Sequence, residues 1–538
     1  MKLTYEGLKD TAAWEKAGIA LPKFDVEEVA AKTKENPVWV HFGAGNIFRG
    51  FIAELQQQLL DNGLSDRGIV AADTFDYEII EKIYKPYDNL TLLVGLKPDG
   101  NTKNSIIASV TESVCANTAD KESFDRLKEI FANESLQMVS FTITEKGYAL
   151  ANMKGELLPV VMSDIKEGPE SAKHAMSVLT ALCYERFKAG AYPVALVSMD
   201  NCSHNGEKLM TSVLHIAEGW LENGYVTPDF IEYLKDENKV SFPWSMIDKI
   251  TPRPAKVIEE MLANAGVEDM APVTTDKNTF IAPFVNAEIP QYLVVEDKFP
   301  NGRPALEKAG VYFTDRDTVN DTEKMKVTTC LNPLHTALAV YGCLLGYESI
   351  AKEMKDEDLK TLVEKIGYDE GIPVVTDPGI LKPMDFIKEV IDERLPNPFV
   401  PDMPQRIATD TSQKVPIRFG ETIKSYMASD ELDVKSLTYI PLAIAGWLRY
   451  LLAIDDNGNE MELSSDPMLS QLQSELAGIQ FGKPESADGK LAGILSNETL
   501  FATDLCKAGL AEKIEGMFKE LLAGPGAVRE TLHKYVTQ

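Results

Sequence analysis

Residues 37–51, PVWVHFGAGNIFRGF, decide the reading of the first half of the chain. The apolar run from Pro37 to Phe42 reads as a short buried strand, Gly43 and Gly45 as a tight turn, and the pattern from Ile47 onward as a helix. Glycine lets the backbone approach a pyrophosphate, and the free N–H groups and dipole of the following helix attract it. Gly50 falls two positions late for GxGxxG, so the turn by itself leaves a purely structural role open. Gly43, Gly45, Asn46, Ile47 and Phe48 are the candidate contacts to a dinucleotide.

Outward from this stretch, residues 69–72 (IVAA), 90–94 (LTLLV), 138–143 (MVSFTI) and 193–198 (PVALVS) read as further strands, with helix-like stretches between several of them. Such alternation predicts an α/β fold: a Rossmann-like N-terminal domain with a mainly parallel sheet and helices on its faces. Asp73 closes the second strand. A carboxylate there accepts the adenosine ribose hydroxyls and repels a 2′-phosphate, which favours NAD over NADP. Asp76 is the second choice for that contact, and a turn-capping role for Asp73 is the plain structural alternative. Residues 280–313 are rich in β-formers and prolines, and beyond about 320 the patterns turn helical. The predicted organisation is a leader over 1–36, the nucleotide-binding domain over 37–300, and a mostly α-helical substrate domain over 301–538.

The chain has 538 residues, 83 acidic and 54 basic side chains, and a formal net charge of -29, which disfavours nucleic acid and anionic membranes as partners. No 18-residue apolar stretch and no apolar N-terminal core are present, so a soluble, cytoplasmic protein is expected. The six cysteines contain no CxxC pair, and the six histidines no HExxH spacing, so buried thiols and no catalytic metal are expected. Composition does not address oligomeric state.

A second candidate is residues 323–335, EKMKVTTCLNPLH, at the start of the helical half. Asn332 and His335 are three apart and share a helix face. Lysines near a helix start are usually solvated, so the segment alone proves little.

Several stretches together resemble the mannitol dehydrogenase family of long-chain polyol dehydrogenases, and they span nearly the full length. They are HFGAGNIFRGF, Thr144 to Tyr148 (TEKGY), Ser198-Met199-Asp200-Asn201 with His204-Asn205-Gly206, and Ile247 to Pro252. Glu296-Asp297 with Gly302-Arg303-Pro304, the Lys/Asn/His segment, and Asn397-Pro398 running on to Gln405 through Ala408 complete the set. The resemblance implies a metal-free dehydrogenase in which Lys326 is the general acid/base. It gives Asn201 and Asn332 the task of donating N–H groups to the reacting oxygen as it gains alkoxide character. His335 orients the substrate, and Asp248 and Arg406 line the substrate site, with Arg406 suited to a uronate carboxylate. Lys414 and Arg418 are further cationic candidates for that carboxylate. Asp200 and Asn205 are candidates only for holding their loop.

One departure from the family pattern matters: five residues, not four, separate Lys326 from Asn332. On a regular helix Lys326 and His335 then lie about 180° apart. A π-bulge between Lys326 and Asn332 absorbs the extra residue, and one is predicted there. Lys324 is the rival base, about 20° from His335 on an unbroken helix. The length and the variant CLNPLH look most like the fructuronate-reducing members, which interconvert D-fructuronate and D-mannonate. Mannitol or a related polyol, or tagaturonate, is the alternative substrate, and a methyltransferase is the alternative class for the glycine turn.

Overall fold

The computed structural model describes residues 1–152 and 154–538. It divides into two compact units: Met1–Lys97 with Asn101–Val319, and Asn320–Gln538 with Pro98–Gly100. The sequence expectation put the junction at 300/301. The strand Tyr312–Thr314 pairs in parallel with Tyr292–Glu296, which keeps residues beyond 300 in the first unit. Residues 1–36, expected as a leader, also fold into that unit, with Ile19–Ala20 pairing with Thr102–Ile107.

The largest sheet of the first unit has six strands: β1 (Trp39–Phe42), β2 (Ile69–Asp73), β3 (Val110–Cys115), β4 (Met138–Phe141), β5 (Val194–Ser198) and β6 (Val240–Ser241). Their order is β3-β2-β1-β4-β5-β6, and every pairing is parallel. This is the doubly wound order, in which ligands bind where the order reverses, beyond the carboxyl ends of the central strands. Alternate residues feed opposite layers. Val40, Phe42, Val70, Ala72, Val139 and Phe141 face one apolar cluster, and Trp39, Ile69, Ala71, Met138 and Val197 face the other. Burial on both faces explains why these strands read as continuous apolar runs.

His41 is the polar exception on β1 and is fully buried. Its Nδ1 lies 2.7 Å from Ser140 Oγ and its Nε2 2.8 Å from Thr142 Oγ1, and its ring stacks on Phe48 at 4.1 Å. Burial pushes its pKa down to about 3, so it is neutral and both nitrogens are spent on hydroxyls.

The second unit consists of helices and turns. Helix Asn332–Leu345 runs through its interior, with most of its residues buried, and packs against Tyr439–Tyr450, which packs in turn on Ala511–Leu521. Tyr439–Tyr450 has no side-chain cap of its own. Glu370 supplies one from a distant turn, its carboxylate accepting the amides of Thr438, Tyr439 and Ile440 at 2.5, 2.8 and 2.7 Å. Three such acceptor bonds at a helix N-terminus satisfy donors that otherwise have no partner in the helix. Among the described residues no helix is long and apolar enough to cross a membrane.

Candidate active site

In the first unit the glycine turn sits at the sheet's switch point. Gly43 follows β1 with φ 105°, and a Cβ there would fall 2.1 Å from the Thr142 carbonyl oxygen at the end of β4, so only glycine fits. A Cβ on Gly45 would meet nothing within 4 Å, which leaves an open face over the turn. Arg49 N bonds to Gly45 O at 3.2 Å, so the helix starts here and the amides of Asn46, Ile47 and Phe48 fall in its first turn, outside the helix's own ladder. These features fit a pyrophosphate. The Phe48 side chain is buried against His41, so Phe48 has only its backbone to offer a ligand. Asn46 Oδ1 accepts a bond from Arg49 Nη2 at 2.8 Å, and Arg49 Nη1 reaches Ala282 O at 2.8 Å.

Asp73 ends β2, buried, and its carboxylate already serves the chain. Oδ2 accepts Ala44 N at 3.1 Å, and Oδ1 accepts Phe75 N and Asp76 N, each at 2.8 Å. Burial pushes its carboxyl up, and the amides of Phe75, Ala44 and Asp76 oppose that rise. It is therefore a clamp on the glycine turn, with about one lone pair left for a further donor. Asp76 is also buried; Oδ2 accepts Thr275 Oγ1 at 2.6 Å, and Oδ1 has no partner among the described residues.

Asn201 lies exposed in the bend after β5. Its neighbour Asp200 accepts the amides of Ile143 and Thr144, both at 2.9 Å, and the Tyr148 hydroxyl at 2.6 Å. Buried Asn205 bonds Asp200 O and Ser245 O, each at 3.0 Å. Asp200 and Asn205 thus hold the loop that carries Asn201. Asp248 is buried at the end of the strand Ser245–Asp248.

In the second unit Lys326 opens a π-helical turn, Lys326–Cys330, set between helices Arg316–Met325 and Asn332–Leu345. The expected bulge is there. It takes up the extra residue before Asn332. Lys326 is buried and Lys324 is exposed, with Lys324 O tied to Thr328 Oγ1 at 2.8 Å. Asn332 and His335 follow on the first turn of their helix. His335 Nε2 lies 3.3 Å from Asp402 Oδ2. Asp402 also pairs with Arg406. Burial works to raise Asp402, but His335 and Arg406 hold its carboxyl below the usual carboxylate range. Arg406, expected at the substrate, thus has a carboxylate partner within the chain. The π-turn Pro416–Gly420 packs against both the Lys326–Cys330 turn and the Asn332 helix and brings in Arg418.

Asp402 and His41 escaped the sequence reading. Asp402 stands four residues before Arg406, a spacing that signals an ion pair. The bonds to Ser140 and Thr142 depend on tertiary pairing about a hundred residues away.

A doubly wound parallel sheet with a glycine turn at its switch point defines the class of dinucleotide-fold proteins. Comparison with known proteins narrows it. Residues 38–308 match the mannitol dehydrogenase Rossmann domain and 318–522 the mannitol dehydrogenase C-terminal domain. The chain therefore belongs to the mannitol dehydrogenase family and is a dehydrogenase acting on a CH–OH group. It is 57% identical to a D-mannonate oxidoreductase of Thermotoga maritima, over all of this chain and 99% of the relative. It is 28% identical to the Escherichia coli D-mannonate oxidoreductase, over 90% of this chain and 92% of that one. Among solved structures, Pseudomonas fluorescens mannitol 2-dehydrogenase in ternary complex with NAD and D-mannitol is 25% identical with a TM-score of 0.69, covering 100% of both chains. A substrate-free D-sorbitol dehydrogenase is 25% identical with a TM-score of 0.77, covering 96% of this chain and 97% of that one.

Proposed function

We propose that the chain interconverts D-fructuronate and D-mannonate with NAD as hydride carrier and without a metal. The full-length 57% identity to a D-mannonate oxidoreductase carries the reading, against 29% to fungal mannitol 2-dehydrogenases. When bound, the nicotinamide of NAD would supply the hydride chemistry at the substrate carbon, in either direction. In reduction Lys326, as ammonium, gives a proton to the ketone oxygen; in oxidation it takes the hydroxyl proton as general base. Asn332 has the role of donating its side-chain N–H to that oxygen, stabilising its developing charge more than the ground state, and Asn201 is the second donor that the family resemblance implies. His335, held toward Asp402, orients a substrate hydroxyl, and Asp248 is a substrate contact.

For the cofactor, Gly43, Gly45 and the amides of Asn46, Ile47 and Phe48 take the pyrophosphate, and Asp73 takes an adenosine ribose hydroxyl with its remaining lone pair. The test is initial-rate NADH oxidation with D-fructuronate, D-tagaturonate and D-fructose. Fructuronate is expected to give the highest kcat/KM, and a clear preference for fructose refutes the reading.

A further inference from the structure

We infer that Arg418, assisted by Lys414, anchors the carboxylate of the substrate, an inference that rests on the hexuronate reading above. Arg418 Nη1 donates to Thr336 Oγ1 at 2.6 Å, and Thr336 Oγ1 donates to Asn332 O at 3.0 Å. The guanidinium is thereby fixed beside the first turn of the helix that carries Asn332 and His335. Its own π-turn packs against the turn that begins at Lys326.

The contrast with two fully buried arginines, Arg186 and Arg449, is informative. Arg186 spends its guanidinium on five carbonyls, those of Tyr192, Phe131, Asn133, Leu136 and Pro193, and Arg449 on those of Leu521, Ile454 and Asp455. A guanidinium carries five N–H donors in a planar fork matched to a carboxylate. Among the described residues Arg418 uses one of them, on a neutral hydroxyl, and no carboxylate pairs with it.

Lys414 stands one turn earlier, its Nζ donating to the carbonyls of Ile407, at 3.0 Å, and Thr409. It too has no ion-pair partner among the described residues. Burial lowers the Arg418 pKa to about 10, and burial with the neighbouring Arg418 charge lowers that of Lys414 to about 8. Two half-buried cations next to the reaction helix, neither in a salt bridge among the described residues, form a site for one anion. Arg406 is the less suited residue: its side chain is 65% exposed and paired with Asp402, which faces His335.

The experiment compares wild type with Arg418→Leu, Arg418→Lys and Lys414→Met, using D-fructuronate and D-fructose as substrates and fluorescence titration for NADH affinity. Arg418→Leu is expected to raise KM for fructuronate by about 100-fold, with a smaller fall in kcat, and Lys414→Met to raise it by about 10-fold. The wild-type preference for fructuronate over fructose, as a ratio of kcat/KM, should collapse in parallel. A merely structural role would depress both substrates alike and leave that ratio in place, which overturns the inference. So does a weakened NADH affinity matching the loss of activity, since Arg418 would then be a cofactor-phosphate contact. If Arg418→Leu fails to fold, Arg418→Lys decides: a KM raised at least several-fold supports the anchor, because an ammonium lacks the fork, and an unchanged KM overturns it. Wild type inactive on every hexuronate removes the functional reading and the anchor with it. Wild type active with Arg418 variants unaffected removes the anchor alone.

Discussion

Lys324 and Lys326 are two positions apart, one exposed and one buried at the mouth of the π-turn. Lys326→Ala should lower kcat by about 10²- to 10⁴-fold with NADH affinity retained, while Lys324→Ala stays near wild type; steady-state rates and fluorescence titration check both. Lys414 supplies a pH signature. Arg418 and Arg406 face it as cations and Asp410 and Asp466 as anions, and burial with Arg418 sets its pKa at about 8. As pH rises through that value the ammonium is lost, so KM for fructuronate should climb above pH 8. In Lys414→Met that climb should vanish, leaving KM high at every pH. Glu353 gives a stability signature instead. It is buried, both its oxygens lack partners among the described residues, and burial, with Asp356 nearby, pushes its pKa up to about 9. Between its ordinary value and 9 the folded chain holds a proton that the unfolded chain has released. Stability is then lost as pH rises, by roughly 1 kcal/mol per unit. Urea melts from pH 5 to 9 should show Glu353→Gln gaining on wild type by that slope; parallel curves contradict it. At this scale the GluLysMetLys pattern pointed to Lys326. Glu353 was invisible, because a carboxylate in sequence carries no mark of having no partner.

The π-turn Lys326–Cys330 was legible by setting the chain against the family it resembles: five residues, where that pattern has four, separate Lys326 from Asn332. Its neighbours Lys365–Gly371 and Pro416–Gly420 are π-turns as well and pack on it, but no spacing in their own sequences announced them. An alanine inserted after Thr329 adds about 100° of helical rotation between Lys326 and His335 and should cost about two orders of magnitude in kcat/KM. Circular dichroism should confirm that the helices persist. Activity within a few-fold of wild type would mean that the angular relation of these two residues is not what the turn preserves. The Tyr439–Tyr450 helix depends on a cap supplied from Glu370, 69 positions before its first residue in the case of Tyr439. Glu370→Ala should destabilise the second unit by about 2 kcal/mol, read as a lower denaturant midpoint.

For the whole molecule, the alternation of apolar strands and helices revealed the parallel sheet, and with it the place of the glycine turn. The order β3-β2-β1-β4-β5-β6 was not spelled out by any one segment, since identical runs of Val, Ile and Ala suit several orders. The division between the units was displaced for a related reason. The prolines of residues 280–313 mark loops, and only the pairing of Tyr312–Thr314 with Tyr292–Glu296 shows that the first unit continues past them. One pairing in that unit bears on how the molecule is made. Phe284–Glu288 joins Thr91–Leu96 in parallel, the last strand of its sheet to leave the ribosome reaching back to one synthesised almost two hundred residues earlier. Until residue 288 has emerged, the nascent chain carries an open, apolar strand edge at residues 91–96, exposed for the seconds that elongation takes. Such long-range closure makes for slow folding. Slowing elongation between residues 96 and 288 should accordingly lower the soluble yield relative to the same chain made at normal speed.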